Sequence, residues 1–60
     1  MNLEDARNRM RMQQGMKAWV MTRETYLALQ EELISEGHQV KLFDFPVMLV
    51  GDGKPEGVIV

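Results

Sequence analysis

The residues able to do chemistry are few and widely spaced. The chain has one histidine, His38, and no cysteine, which excludes thiolate metal sites, cysteine nucleophiles and a site of several histidines within one chain. Glu31 and Glu32 are neighbours on the polar side of a predicted helix, so they do not converge as paired catalytic carboxylates do. His38 follows a glycine in a region without a nucleophile pattern and is expected in an exposed turn. We therefore predict no enzyme, no metal and no cofactor.

A glycine-rich stretch, Gly51-Asp52-Gly53-Lys54, has a superficial likeness to a phosphate-binding loop. That loop requires four residues between its glycines, a Ser or Thr after the lysine, and a helix that follows. Here Pro55 follows the lysine, and too few residues remain before Val60 for a helix. The stretch therefore predicts a turn and not a nucleotide site.

Contact with phosphate groups is the second chemistry that the sequence offers. Residues 1–23 carry five basic and two acidic side chains, a net charge of +3, whereas residues 24–60 have a net charge of −5. At about 100° per residue, the first and third arginines share one side of a helix and the second points away. This favours a solvated helix surface. A small nucleic-acid-binding regulator remains the alternative, and it would use Arg7, Arg9, Arg11, Lys17 and Arg23.

Sixty residues suffice for one small domain, which we assign to residues 1–60. At this size a single core rarely supplies more than about 3–5 kcal/mol without a disulfide, a metal or a partner. Hydrophobic residues make up 45% and charged residues 27%, which favours a folded chain. No apolar run approaches the ~20 residues of a membrane span, and the acidic start lacks a secretory pattern. We expect a cytoplasmic protein with a protein partner.

Two helices are predicted. Asn2 is a candidate cap for a first helix within residues 1–15, which we interpret as a docking arm in front of a core formed by residues 17–60. A second helix is predicted over Arg23–Glu36, capped by Thr22 and ended by Gly37. Gln30 interrupts the apolar side of that helix and predicts either a seam between contact surfaces or partial exposure.

The rest of the chain predicts strands. Apolar segments at 18–21, 39–43, 46–50 and 57–60 have the length and composition of strands. We expect 46–50 and 57–60 to form an antiparallel hairpin, and 18–21 and 39–43 to pair in parallel through a crossover. The predicted fold is α+β: an N-terminal helix followed by a small mixed sheet with one packed helix, in the order α-β-α-β-β-β.

Residues 18–60 carry short motifs in a recognisable order. A strand at Ala18–Met21 precedes a helix with Thr25-Tyr26, followed by Phe45-Pro46-Val47 and by Pro55-Glu56-Gly57 before a last strand. This order resembles a strand-helix-strand segment of the major coat proteins of tailed phages. The resemblance implies a small phage-encoded protein built on a similar unit, which would be virion-associated if it were structural.

These observations predict a non-enzymatic protein–protein interaction or assembly module, whose partner is a second copy or a larger protein. Aromatic side chains would anchor the interface, and the C-terminal strand would pair with a strand of the partner. The predicted partner-binding residues are Trp19, Tyr26, Gln30, Phe43, Phe45, Val58, Ile59 and Val60.

Overall fold

The computed structural model describes all 60 residues, Met1–Val60. Its elements follow the chain in this order: helix α1 (Leu3–Met12), strand β1 (Ala18–Thr22), helix α2 (Arg23–Ala28), a 3-10 turn (Gln30–Glu32), and strands β2 (Leu33–Glu36), β3 (Gln39–Leu42), β4 (Phe45–Val50) and β5 (Gly57–Ile59). The α+β class is confirmed, with one strand more than the sequence predicted.

Both helices begin where the sequence places them. The Asn2 side chain accepts a hydrogen bond from the backbone N–H of Asp5 at 2.8 Å and caps α1. The Thr22 hydroxyl accepts one from the backbone N–H of Thr25 at 3.4 Å and caps α2. Each cap satisfies a donor that the first helical turn leaves without an intrahelical partner.

The second helix is much shorter than predicted. It ends at Ala28, and the segment Leu33–Glu36, predicted as its last turn, is strand β2. Gly37 does not end a helix; with a φ of 61° it forms the two-residue turn, together with His38, that joins β2 to β3. Pairing with β3 places Leu33 opposite Leu42 in the sheet, and this long-range pairing overrides the helical preference of the segment.

The five strands form one mixed sheet in the order β2-β3-β4-β1-β5. Strands β2, β3 and β4 make an antiparallel meander, β4 pairs with β1 in parallel, and β1 pairs with β5 antiparallel. The predicted hairpin between 46–50 and 57–60 is therefore wrong, because β1 lies between these two strands. The parallel partner of β1 is β4 and not the 39–43 strand.

Both helices pack on the same face of the sheet, which we call the covered face. Trp19 and Met21 of β1 and Leu42 of β3 are fully buried there, together with Ala6 of α1 and Leu29 after α2. The Trp19 indole N–H donates to the Leu42 carbonyl oxygen at 2.8 Å, so the largest core side chain also has its polar group satisfied. This face is the hydrophobic core.

A tight turn at the end of β3 closes one side of the core. Phe43 and Asp44 both have positive φ, 50° and 69°, as a two-residue turn between antiparallel strands requires. Positive φ is costly for a bulky residue. The Phe43 ring compensates by packing edge-on against Trp19, with 6.5 Å between ring centroids, while the Arg7 guanidinium lies 6.0 Å from its centroid.

Candidate functional site

The opposite face of the sheet has no helix on it, and we call it the open face. Side chains alternate between the faces along each strand, and residues in register share a face. The register pairs Val20 with Met48 and Ile34 with Lys41, while Pro46 pairs with Lys41. None of the apolar residues on this face belongs to the core cluster. They are Ala18, Val20, Ile34, Pro46, Met48, Val50 and Ile59, of which Ala18 is buried.

The open face exposes more apolar surface than a covered sheet would. Ile34 is 61% exposed and Met48 is 52% exposed, although both lie inside regular strands. Its polar members lie towards β2 and β3, where Lys41 Nζ and a Glu36 carboxylate oxygen form an ion pair at 3.0 Å. At about 4.8 Å between strands and about 15 Å of strand length, the face measures about 350 Å² in projection. Contiguous exposed apolar residues rimmed by polar ones often mark contact sites.

The N-terminus and the loop before β5 are joined by a polar cluster beside the core. The Met1 α-amino group lies 3.1 Å from Glu56 Oε1 and donates to the Thr25 hydroxyl at 3.3 Å. The backbone N–H of Thr22 donates to Glu56 Oε2 at 2.9 Å. This carboxylate therefore joins the start of α1, the end of β1 and the start of α2, which fixes the helices over the covered face.

The environment of Glu56 changes its protonation. Burial of this carboxyl raises its pKa, but hydrogen bonds from the Thr25 side chain, the Thr22 backbone and the Met1 ammonium group, with the charge of that ammonium, outweigh the burial and lower the pKa from 4.5 to about 2. The carboxylate is thus charged at neutral pH and bound on both oxygens. Its role is structural, because every partner belongs to the fold itself.

The residues predicted to bind a partner do not form one surface. Trp19 is fully buried and Phe43 packs against it, so both belong to the core. Three others are half-buried and pack on the core from the covered side: Tyr26, Phe45 and Val58. The buried position of Trp19 follows from its place in β1, between β4 and β5, with α1 above it.

Three of the predicted partner-binding residues are at the surface. Gln30 is exposed in the 3-10 turn, as the second of its two predicted alternatives has it. The alternative of a seam on a helix face is wrong, because the helix has already ended. Ile59 lies on the open face, and Val60 is 60% exposed beyond the last strand. The sequence prediction therefore places one residue, Ile59, on the face that the structure leaves uncovered.

The basic residues do not converge either. Arg7 lies over the Phe43 ring on one flank of α1, whereas the Arg9 guanidinium lies on the other flank beside Gly57 of β5. Arg23 begins α2, and Lys17 precedes β1. Phosphate binding along a nucleic-acid backbone needs cations on one surface, and this arrangement distributes them over several.

A shallow groove of about 410 Å³ lies between α1 and β5. It is bordered by Asp5, Asn8, Arg9, Met12, Gln13 and Val58. The groove is open and mixed in polarity, and no group of three or more His, Asp or Glu side chains is placed to hold a metal ion. No helix of the structure is long and apolar enough to cross a membrane.

No protein-family model matches the chain, and neither the comparison with curated proteins nor the comparison with solved structures finds a match.

Proposed function

We propose that the chain is a small protein–protein interaction module that associates with further copies of itself through the open face. The observation that carries the proposal is the apolar patch on that face, formed on β4, β1 and β5 by Pro46, Met48, Val20 and Ile59, with Ile34 on β2 beyond Lys41. Burying it would remove apolar surface from water at about 25 cal/mol per Å².

A second copy fits this face better than an unrelated helix does. Two sheets pack face to face at about 10 Å, with interdigitating side chains, and identical faces are complementary through a twofold axis. Lys41 and Glu36, which are paired within one copy at 3.0 Å, lie at the β2–β3 side of the face. They can exchange partners with the same residues of a facing copy without leaving a charge unpaired.

Sedimentation equilibrium of two matched variants tests the proposal. Met48 and Leu27 are each 52% exposed, but Met48 lies on the open face and Leu27 lies on α2. Met48→Glu places a charge in the contact and is expected to lower the average mass at every concentration. Leu27→Glu adds the same charge elsewhere and is expected to leave the mass of the wild type unchanged.

Two outcomes would contradict the proposal. The first is a wild-type mass of a single 6.9 kDa chain at all concentrations up to the millimolar range. The second is an equal mass for both variants, which would show that Met48 has no special place in the contact. Circular dichroism of both variants checks that the folded state is retained.

A further inference from the structure

We propose that β5 and the groove beside it form a second, separate contact with another copy, in which two β5 strands pair antiparallel and join two sheets into one of ten strands. This inference rests on the proposed self-association but uses a different surface. Strand β5 has β1 on one side and no strand on the other, so one edge is free to pair.

The position of α1 allows such pairing without a clash. Ala6 of α1 is buried in the same cluster as Trp19 of β1, and Arg9 and Met12 of α1 border a groove with Val58 of β5. The helix therefore lies over β1 and β5, and pairing of two β5 strands separates the two α1 helices by two to three strand spacings, about 10–14 Å. This is at or above the 8–10 Å of direct helix packing, so the two helices can lie side by side. Met12, 84% exposed, extends into the space between them.

The charges on α1 are self-complementary in this arrangement. The start of α1 is tied to Glu56, just before β5, and its end leads to Ala18, opposite Ile59 at the end of β5. Helix and strand therefore run in the same direction. Asp5 and Arg9 both border the groove beside Val58, so a twofold axis through Val58 sets Asp5 of one copy towards Arg9 of the other.

Arg9 is available for this contact. Its guanidinium forms no ion pair within the chain, whose two ion pairs are Met1–Glu56 and Lys41–Glu36. It lies beside the β5 backbone, where a Cβ on Gly57 would come within 3.5 Å of Nη1. The cation therefore lies at the edge where the second copy would pair.

Edge pairing would also enlarge the open face. One copy offers about 350 Å² in projection, whereas a standard interface buries about 800 Å² of each partner. Two copies joined at β5 offer about 700 Å² on one continuous face. The edge contact therefore makes the face-to-face contact stronger, and the full assembly has four chains.

The test uses charge reversal in the Met48→Glu background, in which the open face cannot pair. Met48→Glu alone is expected to form two-chain assemblies. Adding Arg9→Glu, or instead Asp5→Arg, is expected to give single chains, because each reversal sets like charges against each other. Mixing the two reversed variants is expected to restore two-chain assemblies, because opposite charges then meet in both positions. Sedimentation equilibrium measures all four samples.

Recovery of the two-chain mass on mixing distinguishes loss of a contact from loss of folding, because an unfolded variant would not associate when the two variants are mixed. The inference is overturned if Met48→Glu is a single chain up to millimolar concentration, or if the mixture stays at the mass of its components. If only the open-face proposal fails, Met48→Glu keeps the wild-type mass. The masses of the charge-reversed variants then still show whether two β5 strands pair.

Discussion

Both faces of the sheet carry apolar side chains, but the two faces are covered to different extents. On the covered face, Trp19 and Met21 are fully buried beneath two short helices. On the open face, Val20 and Met48 lie between these same positions along β1 and β4 and have no layer above them. The comparison shows that two short helices bury the middle of one side of the sheet, while Leu49, in register with Met21 on that side, stays 54% exposed. Stability comes mainly from one face, and the other is available for contact.

The largest expected effect on the free energy of unfolding comes from a substitution on the covered face. Trp19→Ala removes the largest buried side chain and its hydrogen bond to Leu42, and is expected to cost about 3–5 kcal/mol, enough to unfold a domain of this size. Met48→Ala on the open face is expected to change the free energy of unfolding by about 0.5 kcal/mol or less in dilute protein. Urea denaturation followed by far-ultraviolet circular dichroism measures both. Similar losses would show that the faces do not differ.

A smaller effect concerns the polar cluster that fixes the helices over the covered face. The folded pKa of Glu56, about 2, lies below its ordinary value of 4.5. Its contribution is therefore present above pH 4.5 and is lost as the pH falls towards 2. We expect about 2–3 kcal/mol between these limits. Urea titrations from pH 6 to pH 2 are expected to show this loss in the wild type and a flatter profile in Glu56→Gln. Parallel profiles for the two proteins would contradict the assigned role.

The smallest effect concerns the Phe43–Asp44 turn at the rim of the covered face. Asp44 is exposed and has a φ of 69°, so Asp44→Gly relieves backbone strain without removing a core contact. We expect a gain of about 0.5–1 kcal/mol. Asp52→Gly is the control, because Asp52 does not have a positive φ. Thermal unfolding of both variants measures the change in stability. A loss of stability in Asp44→Gly would show that the turn depends on the Asp44 side chain.

Local signals made part of the fold predictable. Asn2 and Thr22 are caps whose side chains satisfy the adjoining helical turn, and the strand at 18–21 is bounded by polar residues. The error at Leu33–Glu36 arose because the segment fits the apolar side of a helix equally well. Only its pairing with β3, a contact that spans the Gly37 turn, selects the strand.

The candidate site was less predictable than the fold. Aromatic side chains suggested the interface, yet Trp19 and Phe43 pack against each other in the core. The continuous apolar run of Phe45–Val50 was the better signal, since a strand apolar on both sides needs cover on both faces. Which side remains uncovered depends on where α1 and α2 dock, and single-residue patterns do not contain that information.

The most direct test of the open face uses the absence of cysteine from the chain. Met48 lies in β4, the middle strand, so a twofold stack of two sheets places it near Met48 of the facing copy. Under mild oxidation, Met48→Cys is expected to form a covalent dimer on the order of tenfold faster than Leu27→Cys, because association raises the effective concentration of the facing thiol. Equal rates for the two variants would contradict the claim that the open face is where copies meet.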